Sequence, residues 1–147
     1  MEKVLELGGY SARYCGRLFV QTGYSVSRVK SSQKPGWASR MAMNLFLDVE
    51  KQHLDSFRQD LPNSFDVVIV EANSADEAIN LGIEEWKNAI VVVITPFGLS
   101  GPRRNWKATS STLLAMGGYT QLMGDEGRTP LTLPGHYVEF QTAQYAY

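Results

Sequence analysis

A glycine- and proline-rich loop followed by basic residues is the most informative chemical feature of the sequence. Residues 94–102 (Ile-Thr-Pro-Phe-Gly-Leu-Ser-Gly-Pro) come after an apolar run at 89–93, and Arg103, Arg104 and Lys107 follow. The apolar run predicts a buried β-strand, and ligands of open α/β sheets bind where such strands end. Glycine lets the backbone approach a ligand closely, and arginine and lysine attract anions. This segment therefore predicts a binding site for an anionic ligand.

Glu139 is the carboxylate best placed for chemistry. It follows residues 134–137 (Pro-Gly-His-Tyr) near the predicted start of the last helix, where the helix dipole stabilises a negative charge. One interpretation is that Glu139 only caps this helix. The other is that it attacks an activated acyl group and forms a mixed anhydride. The residues alone do not choose between these two roles.

Two further patterns are compatible with phosphate binding. Gly8-Gly9 precedes a predicted helix, whose N-terminus can hold phosphate. A tight strand-to-helix turn is the simpler interpretation, because Tyr10 and Arg13 stand where the dinucleotide-binding fingerprint requires glycines. The second pattern is a basic cluster that suits either a polyphosphate or a solvated surface. Its members are Arg28, Lys30, Lys34 and Arg40.

The histidines and the cysteine predict no metal site. His53 lies in a charged segment that predicts a solvent-facing helix position, and His136 is far from it in the sequence, so their spacing does not match a metal site. Cys15 lies within the first predicted helix. There a small buried apolar role is favoured over a nucleophilic one.

Strands and helices alternate along the predicted chain. Apolar or alternating runs predict strands at 3–7, 25–30, 45–47, 65–71 and 89–95. Helical spacing and capping patterns predict helices from 11 or 12 to 22, at about 50–60, from 75 to near 82, at 110–116 and at 137–147, with a helical turn at 84–87. We expect one α/β domain over 1–147, with a mostly parallel sheet, helices on both faces and right-handed crossovers.

Composition and charge argue against several classes of function. A net charge of −1 does not fit a nucleic-acid binder that relies on positive charge. No apolar run approaches the roughly 20 residues that span a bilayer, and no secretory signal is recognisable, so we expect no membrane partner. The single cysteine predicts a reducing, cytoplasmic compartment. Because the last predicted helix has no stop signal, we expect the chain to be incomplete at its C-terminus.

Several segments, taken in order, resemble the family III CoA-transferases, a group that includes formyl-CoA and carnitine CoA-transferases and α-methylacyl-CoA racemases. The PFGLSGP loop matches the family's FGxxGP pattern and is fairly specific in this order. The resemblance covers nearly the whole chain. Its matching segments are 4–7 (VLEL), 14–18 (YCGRL), 23–29, 45–49 (LFLDV), 65–71 (FDVVIVE), 96–102, 114–118 (LAMGG) and 130–143.

The resemblance implies a Rossmann-like, CoA-binding domain that is truncated relative to the longer family members. In the family an aspartate attacks acyl-CoA, forms an acyl-enzyme anhydride and passes CoA to a carboxylate acceptor. Glu139 stands at that position and is the expected catalytic residue. The resemblance implies no tightly bound cofactor, acyl-CoA and a carboxylate as substrates, and a homodimer or association with a C-terminal portion. The expected CoA-binding residues are Ser11, Ala12, Arg40, Ala72, Asn73, Pro96, Phe97, Gly98 and Gly101, with amides near Gly98 and Gly101 holding the thioester oxygen.

The chain departs from the family pattern at several positions. Ala42 replaces a CoA-contacting lysine, Lys30 replaces a glutamate, and residues 72–76 lack the family's arginine. Thr109 replaces the racemase histidine, so racemase activity is not expected. Glutamate at 139 moves the carboxylate by about one bond length, and an error near 1 Å can cost about 100-fold in rate. We therefore expect little or no turnover from this chain by itself.

The alternative to an enzyme is a non-catalytic module. The same fold would then bind CoA or another nucleotide, or take part only in protein–protein interaction. An NAD(P) enzyme ranks last, because the glycine fingerprint that such an enzyme uses is incomplete here.

Overall fold

The structure, a computed structural model, describes residues 2–29 and 38–147; of residues 38–40 it describes only the backbone. The described strands form one sheet in which all neighbouring pairs are parallel, in the order β3-β2-β1-β4-β5. This is the strand order of a doubly wound, Rossmann-like sheet. The predicted α/β fold with a parallel sheet is confirmed. The strands are β1 (Lys3–Leu7), β2 (Ser25–Val29), β3 (Gln52–Leu54), β4 (Val67–Glu71) and β5 (Ile90–Ile94).

The helices alternate with these strands and continue after β5. Three short 3-10 turns, at Leu61–Ser64, Ile83–Glu85 and Tyr119–Leu122, interrupt the connections. Every helix in the described residues is too short or too polar to cross a bilayer. The α-helices are α1 (Tyr10–Gln21), α2 (Ala38–Asp48), α3 (Ala75–Asn80), α4 (Ser110–Met116) and α5 (Tyr137–Ala146).

Both faces of the sheet are covered, as the sequence predicts. Neighbouring residues of a strand point to opposite faces, so Val4 packs with α1 and α5, whereas Leu5 packs with α3 and with Trp86, which follows the turn at Ile83–Glu85. Cys15 is fully buried in the first of these layers, next to Phe19. Burial raises the pKa of the Cys15 thiol to about 12, which fits the apolar role that the sequence favours.

Two predicted elements in the middle of the chain are wrong. Residues 45–47, predicted as a strand, lie in α2, and residues 50–60, predicted as a helix, contain β3 and irregular backbone. A run of three apolar residues fits a strand or a helix equally well. Leu47 is fully buried whereas Leu45 is 61% exposed. His53 is exposed, as predicted, but it lies on β3.

The strand after Ala89 is also less covered than its sequence predicts. β5 pairs with β4 and is an edge strand of the described sheet. Ile90 is 69% exposed, and the other β5 residues are half-buried. Local hydrophobicity predicts a strand well, but it does not reveal whether a second neighbour pairs with it.

Candidate functional site

A cavity of about 790 Å³ opens at the carboxyl ends of β1, β4 and β5. Leu7, Glu71 and Ile94, the last residues of these strands, all line it. Strands are added on one side of β1 as far as β3 and on its other side from β4 onwards, and ligands of doubly wound sheets bind at this switch point between β1 and β4. The volume lies in the usual range for small-molecule sites. Helical residues complete the lining, among them Glu77, Ser110, Leu113, Val138, Glu139 and Thr142.

Glu139 projects into this cavity from the first turn of α5. Its Oε1 accepts a hydrogen bond of 2.8 Å from the Ser110 hydroxyl at the start of α4. Its Oε2 is buried and has no hydrogen-bond partner among the described residues. The side chain is 22% exposed, so one oxygen of a poorly solvated carboxylate is fixed and the other is free.

Aromatic contacts with α1 fix the start of α5. The His136 ring, just before α5, lies 3.9 Å from the Tyr10 ring between centroids, and Phe140 stacks on Tyr14 at 4.5 Å. Further along, the fully buried Ala143 packs in the same layer as Cys15. These contacts hold the first turn of α5 over the first turns of α1, and the Glu139 side chain is positioned as a result.

His136 does not form a catalytic relay with Ser110. His136 Nδ1 lies 3.7 Å from Glu139 Oε1, which is too long for a hydrogen bond, and it is buried without a partner in the described part of the chain. Ser110 donates to the carboxylate directly. Because Oε1 accepts the hydrogen bond from Ser110 and Oε2 has no hydrogen-bond partner in the described residues, Oε2 is the carboxylate oxygen left available to react.

Glu71 is a second carboxylate in the cavity, and sequence reasoning did not single it out. Its Oε2 accepts a hydrogen bond of 2.9 Å from the backbone N–H of Ala12, and Ser11 bonds to the same carboxyl. The helix's own N-cap residue, Gly9, has no side chain for this purpose. Burial raises the pKa of Glu71, and the bonds to Ser11 and Ala12 oppose that shift. Glu71 therefore caps α1 from the neighbouring strand.

This cap explains the glycine pair. A Cβ on Gly8 would lie 2.5 Å from the Glu71 Cβ, and the Gly8 φ of +140° suits glycine. The Gly8-Gly9 pair is therefore a tight turn that accommodates Glu71, in agreement with the simpler interpretation. The N-terminal amides of α1 already have an anionic partner, so a ligand phosphate does not have free access to them.

The cavity is acidic. Glu71, Glu77 and Glu139 line it, and its lining includes no lysine, arginine or histidine among the described residues. Of the cations predicted to cluster after β2, Arg28 is the one whose side chain is described, and it is paired. Arg28 pairs with Asp48 at 2.8 Å and with Glu6 at 3.5 Å. Lys30 and Lys34 lie outside the described residues, and the Arg40 side chain is not described.

The predicted site residues divide into two groups. The cavity brings together Ser11, Ala72, Asn73, Pro96 and Glu139. Ala12, Phe97, Gly98 and Gly101 lie outside its lining. Ala12 is fully buried and contributes its N–H to Glu71. For Arg40 the structure gives only a position within α2.

Residues 97–107 of the loop after β5 do not line the cavity, and several of them pack against one another. Phe97 packs edge-on against Trp106 at 6.1 Å, and the Arg103 guanidinium lies 5.1 Å from the Trp106 ring centroid. Gly98 and Gly101 are exposed and have φ angles of +76° and +89°. These two glycines are needed for the turns. The expectation that they approach a ligand is not supported by their position.

Comparison with known proteins gives the fold but no function. No model of a known protein family matches the sequence, and no curated protein matches it significantly. Two crystal structures of Rv3272 from Mycobacterium tuberculosis, described as a hypothetical protein, are similar to this chain. Their TM-scores are 0.73 and 0.74, and their sequence identities are 20% and 19%. A variant of Rv3272 with one aspartate changed to alanine gives a TM-score of 0.74. Each match covers 99% of this chain but only 46% or 47% of the other, so the chain spans about half the length of these structures.

Proposed function

We propose that the chain binds an acyl-CoA and transfers the CoA to a carboxylate acceptor, with Glu139 as the nucleophile. The resemblance to the family III CoA-transferases implies this reaction. The observation that carries the proposal is the state of the Glu139 carboxylate, whose Oε1 is held by Ser110 while Oε2 is buried and unpartnered in the described residues. A nucleophilic carboxylate needs such a lone pair facing the substrate.

In the proposed reaction, anhydride C–O bonds and thioester C–S bonds replace one another in turn, both at the acyl groups and at Cδ of Glu139. Oε2 of Glu139 attacks the thioester carbon, the C–S bond breaks, and CoA leaves as a thiolate with the electron pair. The thiolate then attacks Cδ of Glu139, so that the first acyl group leaves as a carboxylate and CoA is held as a glutamyl thioester. The acceptor carboxylate attacks that thioester, and the released thiolate attacks the resulting anhydride to give the new acyl-CoA. No oxidant or reductant is consumed.

The charges around the cavity support one orientation of CoA. Glu71, Glu77 and Glu139 line the cavity, whereas Arg103 and Lys107 are exposed on the segment that follows Pro96. We place the phosphates towards the basic segment, because carboxylates repel them and arginine and lysine attract them. The uncharged pantetheine arm and the thioester then occupy the cavity.

Intact-protein mass spectrometry tests the proposal. Excess protein is incubated with acetyl-CoA, and the mass and the peptide containing residue 139 are examined for an acyl or CoA adduct. We expect an adduct on Glu139 in the unchanged chain and none in Glu139→Gln, because the amide keeps the shape but is not a nucleophile. Glu77→Gln is the matched control, since Glu77 lines the same cavity but bonds to Asn73, and it should keep the adduct.

Absence of any adduct at high protein concentration would contradict the transferase proposal. An adduct that persists in Glu139→Gln would contradict the assigned nucleophile alone. Both outcomes are read from the same spectra, provided that circular dichroism shows each variant to be folded.

A non-catalytic binding module is the second candidate. The acidic cavity favours it, because three carboxylates beside a bound acyl-CoA oppose the thiolate that the transfer must form. Calorimetry with CoA separates the possibilities further. If CoA binding gives a measurable heat but acetyl-CoA leaves no adduct on the protein, a binding module is supported. No heat and no thermal shift at millimolar CoA supports a protein-interaction domain.

The surface of α2 supports the proposed association with a second copy or with a C-terminal portion. Met41 and Leu45 of α2 and Val49 directly after it recur at helical spacing and are 63%, 61% and 42% exposed. Exposed apolar stripes of this kind are typical of interaction sites. Sedimentation velocity measures the association, and substitution of Leu45 by glutamate should weaken it. A monomer at all concentrations would contradict self-association.

A further inference from the structure

We propose that the Ser110 hydroxyl is a second catalytic group, which stabilises negative charge on Glu139 Oε1 when the thiolate attacks the Glu139 carbonyl. This inference rests on the proposed function. Ser110 begins α4 and Glu139 lies in α5, 29 positions later, and both side chains line the cavity. The hydrogen bond between them, 2.8 Å from Oγ to Oε1, is the starting point.

The hydrogen bond makes the two carboxylate oxygens different. Oε1 is held by the Ser110 proton, and Oε2 is buried without a hydrogen-bond partner in the described part of the chain. Oε2 is therefore the atom that attacks the acyl group. Oε1 becomes the carbonyl oxygen of the anhydride, and it is already next to a donor.

The step that follows needs that donor. When the thiolate attacks Cδ of Glu139, the electron pair of the C–O double bond moves to Oε1 before the anhydride bond to Oε2 breaks. The charge of the tetrahedral intermediate thus develops 2.8 Å from Ser110 Oγ. Donors fixed at 2.7–3.1 Å from such an oxygen are the usual means of stabilising it, and loss of one costs about 100- to 1000-fold in rate.

Neighbouring polar groups do not take over this task. His136 Nδ1 is 3.7 Å from Oε1, beyond hydrogen-bond range. The Thr109 hydroxyl forms a hydrogen bond with the Thr112 hydroxyl, and it also accepts a hydrogen bond from the backbone N–H of Thr112. Of the side chains in the described residues, Ser110 is the one that forms a hydrogen bond to Glu139 Oε1.

The rates at which the two covalent adducts form distinguish a catalytic role of Ser110 from a structural one. In a rapid-quench experiment with acetyl-CoA, mass spectrometry resolves the acetyl adduct of Glu139 from its CoA adduct. In Ser110→Ala we expect the acetyl adduct to form at nearly the unchanged rate and to accumulate, because its conversion into the CoA adduct slows by about 100-fold. Ser110→Thr keeps a hydroxyl and should restore most of the conversion. Ser111→Ala, an exposed serine one position along, should behave like the unchanged chain.

Three outcomes would overturn the assignment. Equal rates of both steps in Ser110→Ala and the unchanged chain would show that the hydroxyl is not needed. Equal slowing of both steps, with no recovery in Ser110→Thr, would show that Ser110 only ties α4 to α5. No adduct in the unchanged chain would remove the transferase function itself, and with it the role of Ser110.

A measurement without CoA tests the contact independently of the transferase reaction. Water-soluble carbodiimide labels accessible carboxyl oxygens, and the Ser110 hydroxyl occupies Oε1 of Glu139. Peptide mapping should therefore show faster labelling of Glu139 in Ser110→Ala and an unchanged rate in Ser111→Ala. Equal labelling in all three proteins would show that Ser110 does not engage Glu139 and would overturn the inference even where adducts form.

Discussion

The carboxyl group of Glu71, the last residue of β4, occupies the N-terminus of α1. Many doubly wound proteins bind a ligand phosphate at this position. The Glu71 carboxyl bonds to Ser11 and Ala12. The charge that the helix dipole attracts is therefore supplied by the protein, and the cavity beside it is acidic. At the scale of the residue, this single side chain argues against a dinucleotide whose pyrophosphate sits on α1.

Substitution of Gly8 tests the close packing of Glu71. Gly8→Ala should lower the free energy of unfolding by about 2–4 kcal/mol, because a clash with the Glu71 side chain adds to an unfavourable φ. Gly23→Ala is the matched control, since Gly23 has a φ of +93° but open space around it. Urea denaturation measures the loss of unfolding free energy in each variant, and the difference between the two losses gives the cost of the clash with Glu71. Equal losses in both would show that Glu71 is not packed against Gly8.

At the scale of the element, α2 and α3 show how far a short sequence pattern can be trusted. The Ser74-x-x-Glu77 pattern predicts a helix start, and Ser74 Oγ accepts the Glu77 N–H at 3.3 Å. Glu77 reaches back to the N–H of Asn73 at 2.8 Å. Such a cap is local and is readable from four residues. The LFL run within α2 has no comparable local signal, and its prediction as a strand is wrong.

Removal of the α3 cap has a predictable cost. Ser74→Ala should lower the free energy of unfolding by about 1 kcal/mol, because the N–H of Glu77 loses its side-chain acceptor. Ser111→Ala, at an exposed site inside α4, should change stability by less than about 0.5 kcal/mol. Thermal or urea unfolding measures both. A loss no larger than that of the control would mean that the cap does not stabilise the folded state.

At the scale of the whole molecule, a buried cluster of charges joins the first half of the chain. Lys51 Nζ donates to Glu6 Oε2 at 2.6 Å and to the Arg13 carbonyl at 2.7 Å. The Lys51 and Glu6 side chains are at most 1% exposed. Asp48 joins Arg13 and Arg28. The cluster therefore links β1, α1, β2 and the end of α2, and a Cβ on Gly16 would overlap the Glu6 carboxylate.

Breaking one half of the buried pair should cost more than removing both halves. Lys51→Met should destabilise the protein by about 3–5 kcal/mol, because it leaves the Glu6 carboxylate buried without its closest cationic partner. The double variant Glu6→Gln, Lys51→Met should recover most of that loss. Urea denaturation of the single and double variants forms the measurement. A double variant as unstable as Lys51→Met would contradict coupling between the two charges.

The buried Glu6 carboxyl also predicts a pH dependence of stability. Burial raises its pKa from 4.5 to about 7, so the folded protein binds more protons than the unfolded chain between these values. The contribution of the protonated Glu6 carboxyl to the free energy of unfolding is complete below pH 4.5 and is lost as the pH rises through about 7. The advantage of the unchanged chain over the Glu6→Gln, Lys51→Met variant should thus shrink by about 1–3 kcal/mol from pH 5 to pH 7. A constant difference would contradict the raised pKa.

The sequence by itself determined the parallel α/β architecture and the elements with strong local signals. The strand at 3–7 and the helix at 110–116 match the structure to the residue, because turn glycines, caps and apolar periodicity depend on neighbours a few positions away. It also identified Glu139 as the carboxylate of interest, and five of the predicted site residues share the cavity. Local sequence patterns did not predict that β5 lies at the edge of the sheet or that residues 45–47 belong to α2.

Only the tertiary structure decided which groups share the cavity and what each of them does. Ser110 meets Glu139 across 29 positions, and Glu71 meets Ala12 across 59. Such contacts depend on the strand order and on how α5 packs against α1. No local pattern encodes them, because a side chain's hydrogen-bond partner is set by the fold that brings distant segments together. For the same reason, Gly98 and Gly101 could look like ligand-binding residues in the sequence and still lie outside the cavity.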